Sequence, residues 1–430
     1  MIRKLHSILG YYVPAFFEMH IDTDSADMNI NNLSYADLTV LFHEYIHFLQ
    51  DISTYYGLNH IFVYSEYIHS IINRIYHYDK NIIIVPIDLT DNKDNVLLNQ
   101  QIDKLSVGDG GGEYGISEFT IADIQVEIDF LIDNPDIEKI PTVIINSKEG
   151  DTITFGALAI AESMAYLMEQ CCSPNDYKKS PDYPYIAANK VADYYVPGFS
   201  NNKLMLLALC DAVQMCSIPS ICFIRIMKGI RDGKLCFNSP EEIYDHFYRQ
   251  EATTVYGSSN LLSSFHKLQT CVRQQLKSYL RIESVADSYY EWIDRLFDFA
   301  WNWRKNDKYF LLKMAQHNNL KTNEYFRSCI NAIGTPLMRN NNGQYFKIVP
   351  HGMKDGINVE FFKPFAQIEQ LFSEGKKICE MYEWCCNSPN ITTSVLCKTA
   401  PWKKITENEL CPYALLWKHW NLSKYEVFNI

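Results

Sequence analysis

Apolar residues recur at three- and four-residue steps between Ser34 and Tyr56, in SYADLTVLFHEYIHFLQDISTYY. Leu38, Leu41, Phe42, Tyr45, Ile46 and Leu49 surround the polar positions of the helix this predicts with apolar bulk, so the helix is expected to be buried. Ser34 with Asp37 three residues later is a capping-box-like start, and no Gly or Pro interrupts the run before Gly57. A second helix is expected over 61–78, with Ile68, Ile71, Ile72 and Ile75 on one side. Residues 15–21 and 82–86 read as short strands. Residues 90–115 are polar and then rich in glycine (Gly108, Gly110, Gly111, Gly112 and Gly115), which predicts a flexible loop or lid. Over 117–133, Ile121, Ile124, Ile128 and Ile132 recur at helical spacing, with Ser117 as cap. The runs at 142–145 and 152–155 flank Glu149-Gly150-Asp151, a hairpin signature. A strong helical pattern follows Gly156 in ALAIAESMAYLMEQCC.

The later chain reads as mostly helical. Residues 173–200, with Pro174, Pro181, Pro184 and Pro197, form a loop-rich connector. Leu204 to Met227 reads as two buried helices meeting at Pro219, and helices continue to about Gln316. Trp292, Phe297, Trp301 and Trp303 mark a packing seam. Gly334-Thr335-Pro336 and Asn340 to Gly343 mark a subdomain edge, followed by a strand at 345–349 and a helix at 364–382. The expected architecture is α+β, mainly helical: a core over 1–200 with a small sheet, a helical subdomain over 201–335, and a cysteine-rich α+β extension over 336–430.

Three polar positions interrupt the first helix: His43, Glu44 and His47. Residues four apart share a helix face, so both imidazoles can reach one ion, with Glu44 beside it to act on a water. Burying two histidines and a glutamate is costly, and a metal removes that cost. The alternative is a core helix whose polar groups are satisfied by hydrogen bonds. This H-E-x-x-H segment resembles the zincin metallopeptidases. Among them it resembles the gluzincins, whose third protein ligand is a glutamate on a later helix. The resemblance implies a zincin-like core, one catalytic zinc ion held by His43, His47 and a glutamate, and Glu44 as general base. The metzincin extension is absent, because Gln50 and Ser53 stand where its glycine and third histidine belong.

Glu162 is the first choice for the third ligand. It stands alone among apolar neighbours, with Ala161 and Ala165 allowing a close helix approach, and Glu169 lies two turns along the same face. Its distance from His47 is longer than the resemblance leads one to expect. Glu66 is the rival, because 18 residues separate it from His47, the aminopeptidase-type spacing, although Ser65 replaces the family's asparagine. His60 and His69 remain open. Tyr166, Tyr183, Tyr185, Tyr194, Tyr195 and His246 are candidates for stabilising an oxyanion, with ordinary packing as the alternative for each. Asp211, inside an apolar helix, either orients a ligand histidine or makes a structural hydrogen bond.

Composition narrows the class. The apolar share of 47% and charged share of 21% are those of a soluble globular protein. A net charge of −12 without a basic tract argues against a nucleic-acid partner. Arg3 and Lys4 precede an apolar run that Tyr11, Tyr12, Pro14 and Glu18 cut short, so no export signal is expected. No membrane span is expected, and the location expected is cytoplasmic. Thirteen cysteines, an odd number, fit free thiols in a reducing compartment. Cys379, Cys385, Cys386, Cys397 and Cys411 crowd the end, where buried thiols or a structural zinc site are the two readings. The function expected is a zinc-dependent peptidase acting on a specific intracellular protein or peptide, with a protein partner engaged through the C-terminal half. The alternatives are a catalytically inactive zincin-like scaffold or a partner-binding protein.

Overall fold

The computed structural model describes all residues except 1–4, 8–9, 79–80, 89–94, 110–114, 130–139, 176–178, 255–256, 280–285, 354–360, 388–391, 407–410 and 430. It is α+β and mainly helical. Helix α1 (Tyr35–Ser53) runs through the centre, and sixteen of its nineteen residues are buried. Ser34 starts it as expected, its hydroxyl accepting the Asp37 N–H at 3.1 Å. The break before α2 (Tyr55–Tyr76) falls at Thr54, whose N–H closes α1 on Gln50 O while its hydroxyl accepts the Gly57 N–H at 2.9 Å. Gly57 is needed there. A Cβ on it would stand 2.5 Å from the Asp51 Cα, so the second helix turns against the first with no room for a side chain.

Helix α4 (Ala157–Cys172) packs antiparallel to α1. Three cross-links give the register: Thr39 to Ser173 at 3.1 Å, His43 to Glu169 at 2.6 Å, and Gln50 to Ala161 O at 3.1 Å. The approach to α4 is the expected hairpin, β6 (Ile140–Ser147) and β7 (Thr152–Phe155).

A second sheet has five strands. Strand β2 (Gly10–Val13) lies between β1 (Leu5–Ser7) and β3 (Glu18–Ile21), antiparallel to both. Strand β10 (Leu337–Arg339) runs parallel to β3 and antiparallel to β11 (Tyr345–Phe346). Asp51 ties this sheet to α1, because its carboxylate accepts from the Tyr12 hydroxyl at 2.9 Å and the Ala15 N–H at 2.8 Å.

Several expectations need correction. Residues 121–129 form strand β5 (Ile121–Asp129), paired antiparallel with β6, and not a helix. The isoleucine spacing matched a helix, but Asp-Ile-Gln-Val-Glu-Ile-Asp over 123–129 alternates strictly, and β-branched residues in period two favour a strand beside an available edge. The remainder of that segment, 130–133, lies outside the described residues. The polar stretch at 90–115 contains helix α3 (Asn95–Val107), and Gly110, Gly111 and Gly112 lie outside the described residues. The connector at 173–200 contains helix α5 (Ala187–Tyr195). Of the expected strand at 15–21 only β3 is regular, and the helix expected to reach 382 ends at Glu374, where Gly375 takes a left-handed conformation.

The two helices expected to meet at Pro219 are α6 (Lys203–Val213) and α7 (Pro219–Arg231). Asp211 on α6 makes a buried bidentate pair with Arg304 at 2.7 and 2.8 Å. The same guanidinium donates to Ser53 O at 2.6 Å, at the C-terminal end of α1 where carbonyls lack helical partners. Asp211 is therefore structural, and it orients no histidine. Asp211→Ala is expected to cost about 3–5 kcal/mol, because it strands a buried cation. Replacing both residues together by apolar ones should cost less. Denaturation midpoints of the two variants check this.

Candidate metal centre

The i, i+4 geometry of α1 places His43 and His47 side by side, with ring centroids 4.8 Å apart. Their Nε2 atoms point at one oxygen of α4: Glu162 Oε2 lies 3.1 Å from His43 and 3.4 Å from His47. All three side chains are buried. Among the described residues, theirs is the group of ligand-type atoms lying within 4.8 Å of one another.

The far side of each ring sets its protonation. His47 Nδ1 lies 2.8 Å from Gln50 Oε1, and Gln50 donates its own amide to Ala161 O, so the Gln50 oxygen accepts and His47 Nδ1 carries the proton. His43 Nδ1 lies 2.6 Å from Glu169 Oε1 and donates to it. In the neutral tautomers both Nε2 lone pairs then face Glu162. Three electron-rich atoms converge in a dry interior, a placement that a proton on an imidazole or a bound cation would relieve.

Ionisation tendencies say the same. Burial opposes an imidazolium at His43, but Glu169 and then Glu162 outweigh it and raise its pKa well above the ordinary value. Burial pushes the Glu162 carboxyl up, but His47 and then His43 outweigh that and hold it down at about 2. Glu162 Oε1 and His47 Nε2 are buried with no hydrogen-bond partner. His43, His47 and Glu162 form a buried group that could hold a metal ion.

Glu44 is fully buried beside this group and adds its charge to the field at His43. Strand β2 passes directly over it. A Cβ on Gly10 would stand 2.8 Å from Glu44 Oε1, so a glycine lets the sheet backbone approach the carboxylate.

The remaining candidates separate cleanly. Glu66 bonds to Gln275 on α9 (Leu261–Tyr279), and His60 pairs with Asp103 at 2.9 Å. His69 is half-buried along α2. None of the three joins the convergent group. Tyr183 donates to Asp109 O and Thr154 O, Tyr194 reaches Asp123, Tyr195 lies beneath Arg231, and the Tyr166 hydroxyl accepts from the Ser180 N–H. His246 pairs with Gln250 on the surface. Tyr185 alone of these candidates faces the group. Its ring is 6.2 Å from that of His43, and its phenol pKa is raised by burial and then by Glu162, Glu44 and Glu169.

Sequence reasoning missed the work of Gln50 and Glu169. The signals were present: Gln50 lies three residues after His47, and Glu169 seven after Glu162 on the same helix face. Glu169→Gln is expected to lower metal affinity about 10–100-fold, because an amide is a weaker acceptor for the His43 Nδ1 proton. Competition against a calibrated chelator measures it.

Comparisons of the chain with protein-family models, curated proteins and solved structures found no match. Among the described residues, no helix is long and apolar enough to cross a membrane.

Proposed function

We propose that this chain is a zinc-dependent peptidase of gluzincin type, with His43, His47 and Glu162 as metal ligands. The observation that carries the reading is the convergence of two Nε2 atoms and one carboxylate oxygen in a buried site, each ring held from behind by Glu169 or Gln50. A zinc ion bound there would acidify a water to near neutrality and polarise a carbonyl oxygen.

The protein's own groups would do the rest. Glu44 takes a proton from the attacking water as its oxygen adds to the peptide carbonyl carbon. The carboxyl then delivers that proton to the amide nitrogen as the C–N bond breaks, which regenerates the carboxylate. Tyr185, its ring 6.2 Å from that of His43, would donate its hydroxyl to the developing oxyanion, and its raised pKa favours the protonated phenol. Glu169 and Gln50 bond Nδ1 of the two imidazoles and turn each Nε2 toward Glu162, where His43, His47 and Glu162 would hold the metal.

The substrate is a peptide or protein. Metal analysis of purified protein, paired with a proteome-wide cleavage screen of wild type against Glu44→Gln, tests the reading. Zinc in both and new peptide termini only with wild type support it. Metal-free protein after mild preparation overturns it. Tyr185→Phe is expected to lower kcat about 10²–10³-fold with little change in KM, the signature of a donor used in the transition state.

A further inference from the structure

Strand β5 alternates along its length, and its two faces meet different surroundings. Gln125 and Glu127 are exposed on one face. Ile124, Val126 and Ile128 share the other, the face on which the sheet packs inward. The cover over that face ends partway along the strand. Ile124 is 9% exposed, whereas Val126 is 43% and Ile128 50% exposed, although Val126 pairs across to the fully buried Val143. Helix α7 covers the neighbouring strands. It packs on β6, and its Phe223 ring lies 5.6 Å from that of Phe155 on β7. The second half of β5 is left bare.

Between β5 and α7 lies a groove of about 560 Å³. Val126 lines it from the strand, and Ile221, Ile224, Arg225 and Lys228 line it from α7. Their three- and four-residue spacing puts these last four on one flank of the helix, two apolar and two cationic. Leu235, just beyond α7, adds to the apolar lining. Among the described residues no carboxylate pairs with Arg225 or Lys228, and Lys228 lies 5.9 Å over the Tyr195 ring. The acid in the groove, Asp232, is already engaged by Arg231 at 2.9 Å and Lys234 at 3.7 Å. A chain of net charge −12 thus carries a locally positive, apolar groove.

We propose that this groove docks an acidic amphipathic helix of a partner protein. The floor is the face of a sheet, so the occupant meets side chains and not free backbone amides. A helix laid beside α7 completes the layer that α7 begins. Val126, Ile128, Ile221 and Ile224 accept apolar side chains that recur at i, i+3, i+4 and i+7 on such a helix. Arg225 and Lys228 face carboxylates on its flank, whereas a neutral or basic flank would leave both cations without a partner.

The test uses the full chain and a displayed library of helical peptides of about five turns. Leucine is fixed at i, i+3, i+4 and i+7, and the flanking positions are drawn from Glu, Gln and Lys. Peptides selected on the wild-type chain are expected to carry Glu on the flank. In fluorescence anisotropy the best of them should bind at least about 10-fold more tightly than its counterpart with lysine in place of glutamate, and more weakly as salt rises. Val126→Glu should weaken that binding about 10-fold or more, and so should Arg225→Glu with Lys228→Glu. Arg225 and Val126 are exposed and Lys228 is half-buried, so melting curves should stay those of wild type. Selection that yields no binder, binders with glutamine or lysine flanks, or binders indifferent to both variants would overturn the proposal. So would a dimer in sedimentation that Val126→Glu dissolves, because the groove would then hold a second copy of the chain. The outcome is separate from the peptidase reading: the readout is binding, and no residue of the groove belongs to the candidate metal centre.

Discussion

Glu44→Gln is expected to abolish peptide cleavage while leaving the metal content unchanged. The two halves of that result come from different parts of the geometry. Glu44 is not one of the three residues whose atoms converge, so the amide removes no ligand. It cannot accept a proton at neutral pH, so neither the water activation nor the proton delivery to the leaving amine can occur. Each such transfer is worth roughly 10²–10⁴-fold. One side chain performs both, so the combined loss should exceed either alone. Gln is nearly isosteric with Glu and keeps the close contact with Gly10, so the fold should be unaffected. Zinc per chain, the circular dichroism melt and cleavage of a substrate identified by proteomics measure the three quantities separately. Normal cleavage by this variant would sink the assignment of Glu44.

His43→Ala is expected to give protein without bound metal at the His43–His47–Glu162 site, and Glu162→Ala the same. The effect should be large because each removes one of the three proposed ligands, and no further ligand atom joins that group among the described residues. The two variants should differ in stability. His43→Ala leaves Glu162 facing His47 with one favourable partner, and it strands Glu169, whose carboxylate bonded the missing ring. Glu162→Ala removes the carboxylate and leaves two imidazoles that can stay neutral in a dry interior. His43→Ala should therefore be the less stable of the pair. Isothermal titration with zinc and paired melting curves check both statements. Unaltered binding of zinc by Glu162→Ala would return the third-ligand question to residues the geometry has set aside.

Much of this was legible in the chain. The helix carrying His43, Glu44 and His47, its serine cap, the hairpin before α4 and α4 itself are all local patterns, and all are present. Local patterns succeed where one period dominates and nothing distant competes. Residues 121–129 show the opposite case. Isoleucines at helical steps and a strict polar-apolar alternation coexist there, and the edge of β6 selected the strand by offering hydrogen bonds to the backbone. Helix α3 was hidden for another reason: its polar face masked a weak apolar stripe.

What the sequence alone determined is the placing of two imidazoles and a carboxylate around one turn of a buried helix, because the 3.6-residue repeat is a property of the backbone. What only the tertiary structure decided is which distant groups meet them. Glu66 had the family spacing and Glu162 did not, yet Glu162 faces the histidines and Glu66 bonds to α9. The antiparallel register of α1 and α4 sets that choice. It brings Glu162, Glu169 and the Ala161 carbonyl opposite His43, His47 and Gln50 in a single zipper. Spacing along a chain measures contour length, whereas a metal site is assembled by packing, where small side chains let two helices come close enough to share an ion.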